Sequence, residues 1–147
     1  MDDALISDVF VLSNYMRRDL NRLYQGSPSS NGEGRVLLFL ETRFSYGFPT
    51  QAKDIEREFN LQKSTVSELL KSLEEKGYIK KEADEKSQNG RGLNIFITEE
   101  GKKLNAMTRA FEESVSTRYA SYLSEEEKRA LHSLLGKLIK ERTKEEK

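Results

Sequence analysis

The constraint that most narrows the possible folds lies between Gln62 and Lys81, in QKSTVSELLKSLEEKGYIKK. Val66, Leu69, Leu70 and Leu73 recur at the i, i+3, i+4, i+7 spacing of a helix that buries a single stripe. The opposite side is small and polar at its beginning. Gly77 is placed to end the helix in the left-handed conformation that only glycine adopts without steric cost, and Tyr78 and Ile79 then open an extended run. The helix therefore feeds directly into a strand.

Upstream, Thr50 is placed to cap a short helix over residues 51–59 that carries Ala52, Ile55 and Phe59 on one face. Asn60 and Leu61 form the turn between it and the quoted helix, which makes a helix-turn-helix pair. Downstream, YIKKEADEKSQNGRGLNIFIT divides into two extended arms around a polar tip, and Ile95 and Ile97 give the second arm a period near two. A β-hairpin, or wing, follows.

The flanks read as long helices. Residues 2–25 place Leu5, Val9, Leu12, Met16 and Leu23 on one seam, GSPSSNGEG at 26–34 reads as a loop, and RVLLFLETRF at 35–44 as a helix buried on most sides. Thr98 is placed to cap a helix over about 99–122 with Leu104, Met107, Phe111, Val115, Tyr119 and Tyr122 along a stripe. Ser124 to Glu127 is a Ser-x-x-Glu capping box, opening a last helix with Leu131, Leu134, Leu135, Leu138 and Ile139; the tail RTKEEK is expected to fray. The fold class expected is mainly α with a small β-hairpin: a winged helix-turn-helix over 35–98, with dimerisation helices at 1–25 and 99–147, in one 147-residue protomer.

Composition supports that layout. Hydrophobic residues make up 35% and charged residues 34%, a balance suited to solvent-laced helices, some of whose apolar surface is covered by a second subunit. The chain has no cysteine, which excludes disulfides and thiol switches, and its single histidine, His132, builds no metal site alone. No acid is set beside a histidine, a cysteine or a glycine-rich phosphate loop in a catalytic spacing, so no enzyme, metal or cofactor is expected. The N-terminus lacks a basic leader and no segment reaches the roughly 18 apolar residues of a membrane span, so a cytoplasmic protein without a membrane partner is expected.

Chemistry then enters through the polar side of the quoted helix. Gln62, Lys63, Ser64, Thr65 and Ser67 are small or hydrogen-bonding residues at the start of a helix anchored by leucines, the combination that lets a helix enter the major groove of double-stranded DNA. Lys71, two turns from Ser64, is placed beside the backbone. For Ser64 and Thr65 the alternative is that they only cap the helix. In the wing, Lys86 and Arg91 lie near the tip, and an arginine on a slender arm suits a narrow minor groove; alternatively Asn89-Gly90 is simply the hairpin turn and Arg91 is solvated.

The residues STVSELLKSLEEKGYI at 64–79, NGR at 89–91 and FITEEGKKL at 96–104, with the order of the elements, resemble the MarR (multiple antibiotic resistance regulator) family of bacterial transcription factors across nearly the whole chain. The resemblance implies a homodimeric regulator, commonly a repressor, whose two recognition helices read a pseudo-palindromic operator. It also implies regulation by a small-molecule effector held between the dimer region and the reading domain, for which Tyr15, Arg18, Phe39 and Phe111 are the candidate lining residues. In the family the wing tip reads Asp-x-Arg, which implies that the aspartate orients the arginine; here Asn89 stands in the first position, able to accept a hydrogen bond from Arg91 but contributing no charge, so Arg91 is expected to be held less firmly. Against DNA stands the charge balance, zero overall, with nine basic and nine acidic residues between 51 and 98. Glu68 falls where the family often has a basic residue, and either accepts from a cytosine or repels phosphates. The alternative function is a winged-helix adaptor that binds protein.

Overall fold

A computed structural model describes residues 2–86 and 92–145. The element order is α1 (Asp2–Tyr24), α2 (Asn31–Ser45), α3 (Ala52–Phe59), α4 (Lys63–Glu75), β1 (Ile79–Ala83), β2 (Leu93–Ile97), α5 (Glu99–Ala120) and α6 (Glu125–Lys144). The chain divides into two compact units, one ending at Phe111 and the other beginning at Glu112.

In the first unit the core joins Val36, Leu37 and Leu40 of α2 to Ile55 of α3, Val66, Leu70 and Leu73 of α4, Ile79 and Ile95 of the hairpin, and Leu104 of α5. Burying each of these aliphatic side chains stabilises the fold by about 1.5–3 kcal/mol. Phe39 and Phe59 pack edge-on beside this core, with ring centroids 5.5 Å apart.

The helix starts differ from expectation in two places. α2 begins four residues early, because Ser30 caps it: its hydroxyl accepts from the Glu33 N–H at 3.2 Å. The glycines that suggested a loop lie inside its first turn, and Gly34 leaves the space that the ring of Tyr24 fills, where a Cβ would collide. α3 is capped by Gln51, whose N–H donates to the Asp54 carboxylate at 2.8 Å. Thr50 is instead buried, accepting from Arg43 Nε at 2.8 Å through its hydroxyl and from the Ile95 N–H at 2.8 Å through its carbonyl. With its hydroxyl tied to α2 and its carbonyl to β2, Thr50 is not free to cap.

The hairpin is antiparallel, with Ile79 opposite Ile97 and Ala83 opposite Leu93. Of its second arm only Ile95 is fully buried, so the expected alternation is blunted; Thr50 lies against one side of this arm. α5 buries Leu104 as expected, but Met107 is exposed and Asn105 and Thr108 take buried places on its stripe. Thr108 satisfies its hydroxyl by donating to the Leu104 carbonyl at 3.1 Å, and Asn105 reaches Leu37 O and Glu41.

In the second unit α6 opens with the expected box: the Ser124 hydroxyl accepts from the Glu127 N–H at 3.1 Å and the Glu127 carboxylate from the Ser124 N–H at 2.8 Å. No described residue of α6 is buried, and Leu134, Leu138 and Ile139 are 60%, 50% and 66% exposed. α5 ends at Ala120, two residues before expectation, where Tyr119 and Tyr122 meet edge-on. No described helix is long and apolar enough to cross a membrane.

Candidate nucleic-acid interface

The helix-turn-helix is held by backbone chemistry at each joint. Asn60 takes the left-handed conformation at φ 51°, so that the Leu61 N–H returns to the Glu56 carbonyl at 3.0 Å and α4 leaves α3 at once. Gly77 ends α4 at φ +83° as expected. Its N–H donates to Glu74 O at 3.0 Å and that of Tyr78 to Leu73 O at 3.0 Å, the paired bonds of a Schellman ending. The Thr98 hydroxyl then donates to the Gly77 carbonyl at 2.7 Å and accepts from the Gly101 N–H at 3.1 Å, so one side chain caps α5 and locks the base of the wing. Gly101 is required there, since a Cβ would strike Tyr78 O and Ile97. This is the physical content of the spacing from Gly77 to Thr98 and Gly101.

On this frame α4 turns its two sides apart. Val66, Leu70 and Leu73 are buried, while Gln62, Lys63, Ser64, Thr65, Ser67, Glu68 and Lys71 are exposed. Gln62 occupies the N-cap position, so Ser64 and Thr65 lie within the first turn and do not cap the helix; their hydroxyls face outward. The first turn holds no acid, which leaves the positive end of the helix dipole open to an anion. Lys86 is exposed past the first arm of the wing, its N–H bound to Asp84 Oδ1 at 3.0 Å. Asn89 and Arg91 lie outside the described residues.

Three features were not anticipated from the sequence. Ser72 is not a free residue on the outer side of α4: with Lys76 it binds the buried Glu33 of α2, the hydroxyl donating at 3.1 Å and the ammonium at 2.9 Å. Lys76 is therefore withdrawn from any ligand, as is Lys81, paired with Glu74 at 3.5 Å. Gln51 joins the HTH to the wing through Nε2, which donates to Asp84 and to Asn94 at 3.2 Å each. Between α3, α4 and the wing lies a concavity of about 320 Å³ whose lining includes Lys53, Lys63, Ser67 and Lys81. Lys53 and Lys81 belong to separate elements, and only folding brings them beside Lys63.

The four candidate effector residues do not converge on a described cavity. Arg18 stacks on the ring of Tyr15 at 4.9 Å on an exposed stretch of α1, Phe39 packs against the core, and Phe111 meets Tyr24 edge-on at 5.1 Å. Glu41 is the titratable group most clearly shifted in this unit. Burial works to raise its pKa, but hydrogen bonds from Asn105 at 2.7 Å and Arg109 at 3.1 Å, with the charges of Arg109 and Lys102, outweigh it and hold the carboxyl below its ordinary range.

Comparison with known proteins meets this geometry at the same residues. A sequence profile of the MarR family matches residues 28–88, from the cap of α2 to the wing. Staphylococcus aureus MepR in complex with DNA superposes with a TM-score of 0.74 at 26% identity, covering 92% of this chain and 96% of that one. Residues 28–88 thus carry the likeness to the MarR family. Wild-type MarR from E. coli, in its apo form, shares the fold at a TM-score of 0.79 with 15% identity, over 91% of this chain and 96% of that one. The HTH-type transcriptional regulator MgrA of Staphylococcus aureus is 34% identical over 91 residues, which are 62% of this chain and 59% of that relative. The alignment thus spans about three fifths of the curated relative's length.

Proposed function

We propose that this protein belongs to the MarR family and is a DNA-binding transcriptional regulator of the bacterial cytoplasm, acting as a homodimer on a pseudo-palindromic operator, in the family's commoner role of repressor. The observation that carries the reading is the two-sided construction of α4: leucines held in the core, and an outward, acid-free first turn of Gln62, Lys63, Ser64 and Thr65. MepR, the 26% identical relative, is seen bound to DNA, which supports the DNA-binding reading. Ser64, Thr65, Ser67 and Gln62 then meet base edges, Lys63 and Lys71 meet phosphates, and Lys86, Asn89 and Arg91 carry the wing's contact. The MgrA and MepR relatives are regulators or DNA-binding proteins by name, so no enzymatic role is assigned.

Residues 1–25 and 99–147 serve as the dimerisation helices, supported by the exposed apolar residues of α1 and α6: Phe10 at 63% and Ile139 at 66%. Two protomers place their recognition helices about one helical turn apart. A small-molecule effector acting near Tyr15, Arg18, Phe39 and Phe111 alters that separation and releases DNA. The neutral charge of 51–98 favours a second reading, a winged-helix adaptor for protein.

The test is titration of a duplex from upstream of the protein's own gene, beside a scrambled duplex. Two protomers per site, preference over the scrambled duplex and a shallow salt dependence are expected, each neutralised phosphate adding about 0.9 to the log-log slope. Arg91→Ala weakens binding to all duplexes, whereas Ser64→Ala with Thr65→Ala changes which is preferred. One protomer per site, or equal affinity for both duplexes, overturns the reading.

A further inference from the structure

Glu68 is the acid that stands between the outward hydroxyls and Lys71 on α4. It is exposed, lies one turn beyond Ser64 and one turn before Lys71, and no described residue hydrogen-bonds to it or pairs with it. Pairing at this spacing is common in the chain but not universal, Glu126 and Arg129 being likewise without a described ion pair. Glu99 and Lys102, Glu100 and Lys103, Glu125 and Lys128, and Glu141 and Lys144 share the same three-residue step and all close into ion pairs, at 3.3, 3.1, 2.8 and 3.2 Å. Glu68 and Lys71 form no ion pair, which leaves both charges exposed on the outward side of α4. A bare carboxylate there is costly near phosphates unless a donor meets it.

We propose that Glu68 is a specificity-determining residue, accepting a hydrogen bond from the exocyclic amino group of a cytosine in the major groove, while Lys71 meets the backbone beside it. The inference rests on the DNA-binding reading above. In the major groove cytosine offers an amino donor, whereas guanine and thymine present acceptors that a carboxylate repels, and adenine sets its amino donor beside the N7 acceptor. A glutamate in that position thus selects by exclusion as much as by attraction.

The experiment is parallel enrichment of binding sites from a random duplex pool by the full-length protein and by Glu68→Gln. Affinities are then measured for the enriched duplex and for versions with each C·G pair exchanged. Glu68 is exposed, so unchanged thermal unfolding of the variant confirms its fold. The wild type is expected to enrich a cytosine at one position per half-site, and its replacement by guanine to weaken binding roughly 5- to 150-fold. Glu68→Gln should lose that preference and move toward adenine, whose N6 and N7 a carboxamide matches. Identical enriched sites for both proteins overturn the proposal, as does a uniform rise in the variant's affinity for every duplex, the mark of simple phosphate repulsion. Failure of the wild type to enrich any sequence overturns the DNA reading itself, and is distinguished from the other outcomes by the absence of a shared site.

Discussion

Helices α4 and α6 are written in the same apolar spacing and end in opposite states. α4 sets Val66, Leu70 and Leu73 fully into the core and keeps its polar side in water, whereas α6 exposes Leu131, Leu134, Leu135, Leu138 and Ile139 and buries no described residue. Both stripes record that a helix must cover one side; neither sequence says whether the cover comes from the same chain. For α4 it does, and the exposed polar side becomes available for a ligand. For α6 the bare stripe is the feature that points to a second copy.

The largest expected effect tests the half of that comparison that is complete. Leu73→Ala opens a cavity among residues that are fully buried, and should lower the unfolding free energy by about 2–5 kcal/mol in chemical denaturation. Leu138→Ala, on the bare stripe, should change the stability of the isolated chain far less, yet Leu134→Glu with Leu138→Glu should convert a dimer to monomers in sedimentation velocity. If both pairs of changes acted only on unfolding, α4 and α6 would be equivalent and the contrast would fail.

Next in size is the steric lock at the base of the wing. Gly101→Ala places a methyl against Tyr78 O and Ile97, and overpacking of this kind costs about 1–3 kcal/mol. Thermal unfolding should show the loss, and Thr98→Val, which keeps the shape but removes the bonds to Gly77 and Gly101, should show a smaller one.

A smaller effect sharpens what holds α4 in place. Lys76→Met leaves Glu33 with Ser72 as its remaining partner, and Lys76 is 37% exposed at its side chain, so solvent limits the expected loss to about 1–2 kcal/mol. Glu33→Gln combined with Lys76→Met should recover part of it, because the carboxylate that lacked a counter-charge is gone. A double-mutant cycle in urea measures the coupling; additive losses would make the pair incidental.

What could be read in the sequence divides along the same line. The α4 stripe, Gly77, Thr98 and the Ser124 box act through neighbours a few residues away or through backbone geometry, and all fall where local pattern put them. The start of α2 escaped because glycines at 32 and 34 look like a loop, while their reason is the ring of Tyr24, close in space but placed there only by folding. Thr50 has the residue type of a cap but another role, because its partners, Arg43 and Ile95, lie seven and forty-five positions away. The same holds at the candidate interface: the exposure of Lys63, Ser64, Ser67 and Lys71 follows from helix period, but the capture of Ser72 and Lys76 by Glu33, and the gathering of Lys53 and Lys81 around Lys63, depend on long-range contacts that no local spacing encodes.

The smallest expected effect compares the two units through acid. Glu41 ties α2 to α5, and Glu127 closes the box at the start of α6; both carboxyls are held below the ordinary glutamate value of 4.5, Glu127 by hydrogen bonds from the Ser124 backbone and hydroxyl. A depressed folded pKa means that each contribution is present in full above about pH 4.5 and is lost as the pH falls through the folded value. Glu41 has a side chain only 25% exposed and two partners on α5, so its protonation loosens the first unit, while Glu127 sits in open solvent, where screening shrinks the effect. Unfolding midpoints in denaturant, taken from pH 6 down to about pH 3, should therefore fall less steeply in Glu41→Gln than in the wild type, and Glu127→Gln should leave the slope closer to unchanged. The reverse ranking would place the acid-sensitive contact in the cap of α6 and not in the joint between α2 and α5.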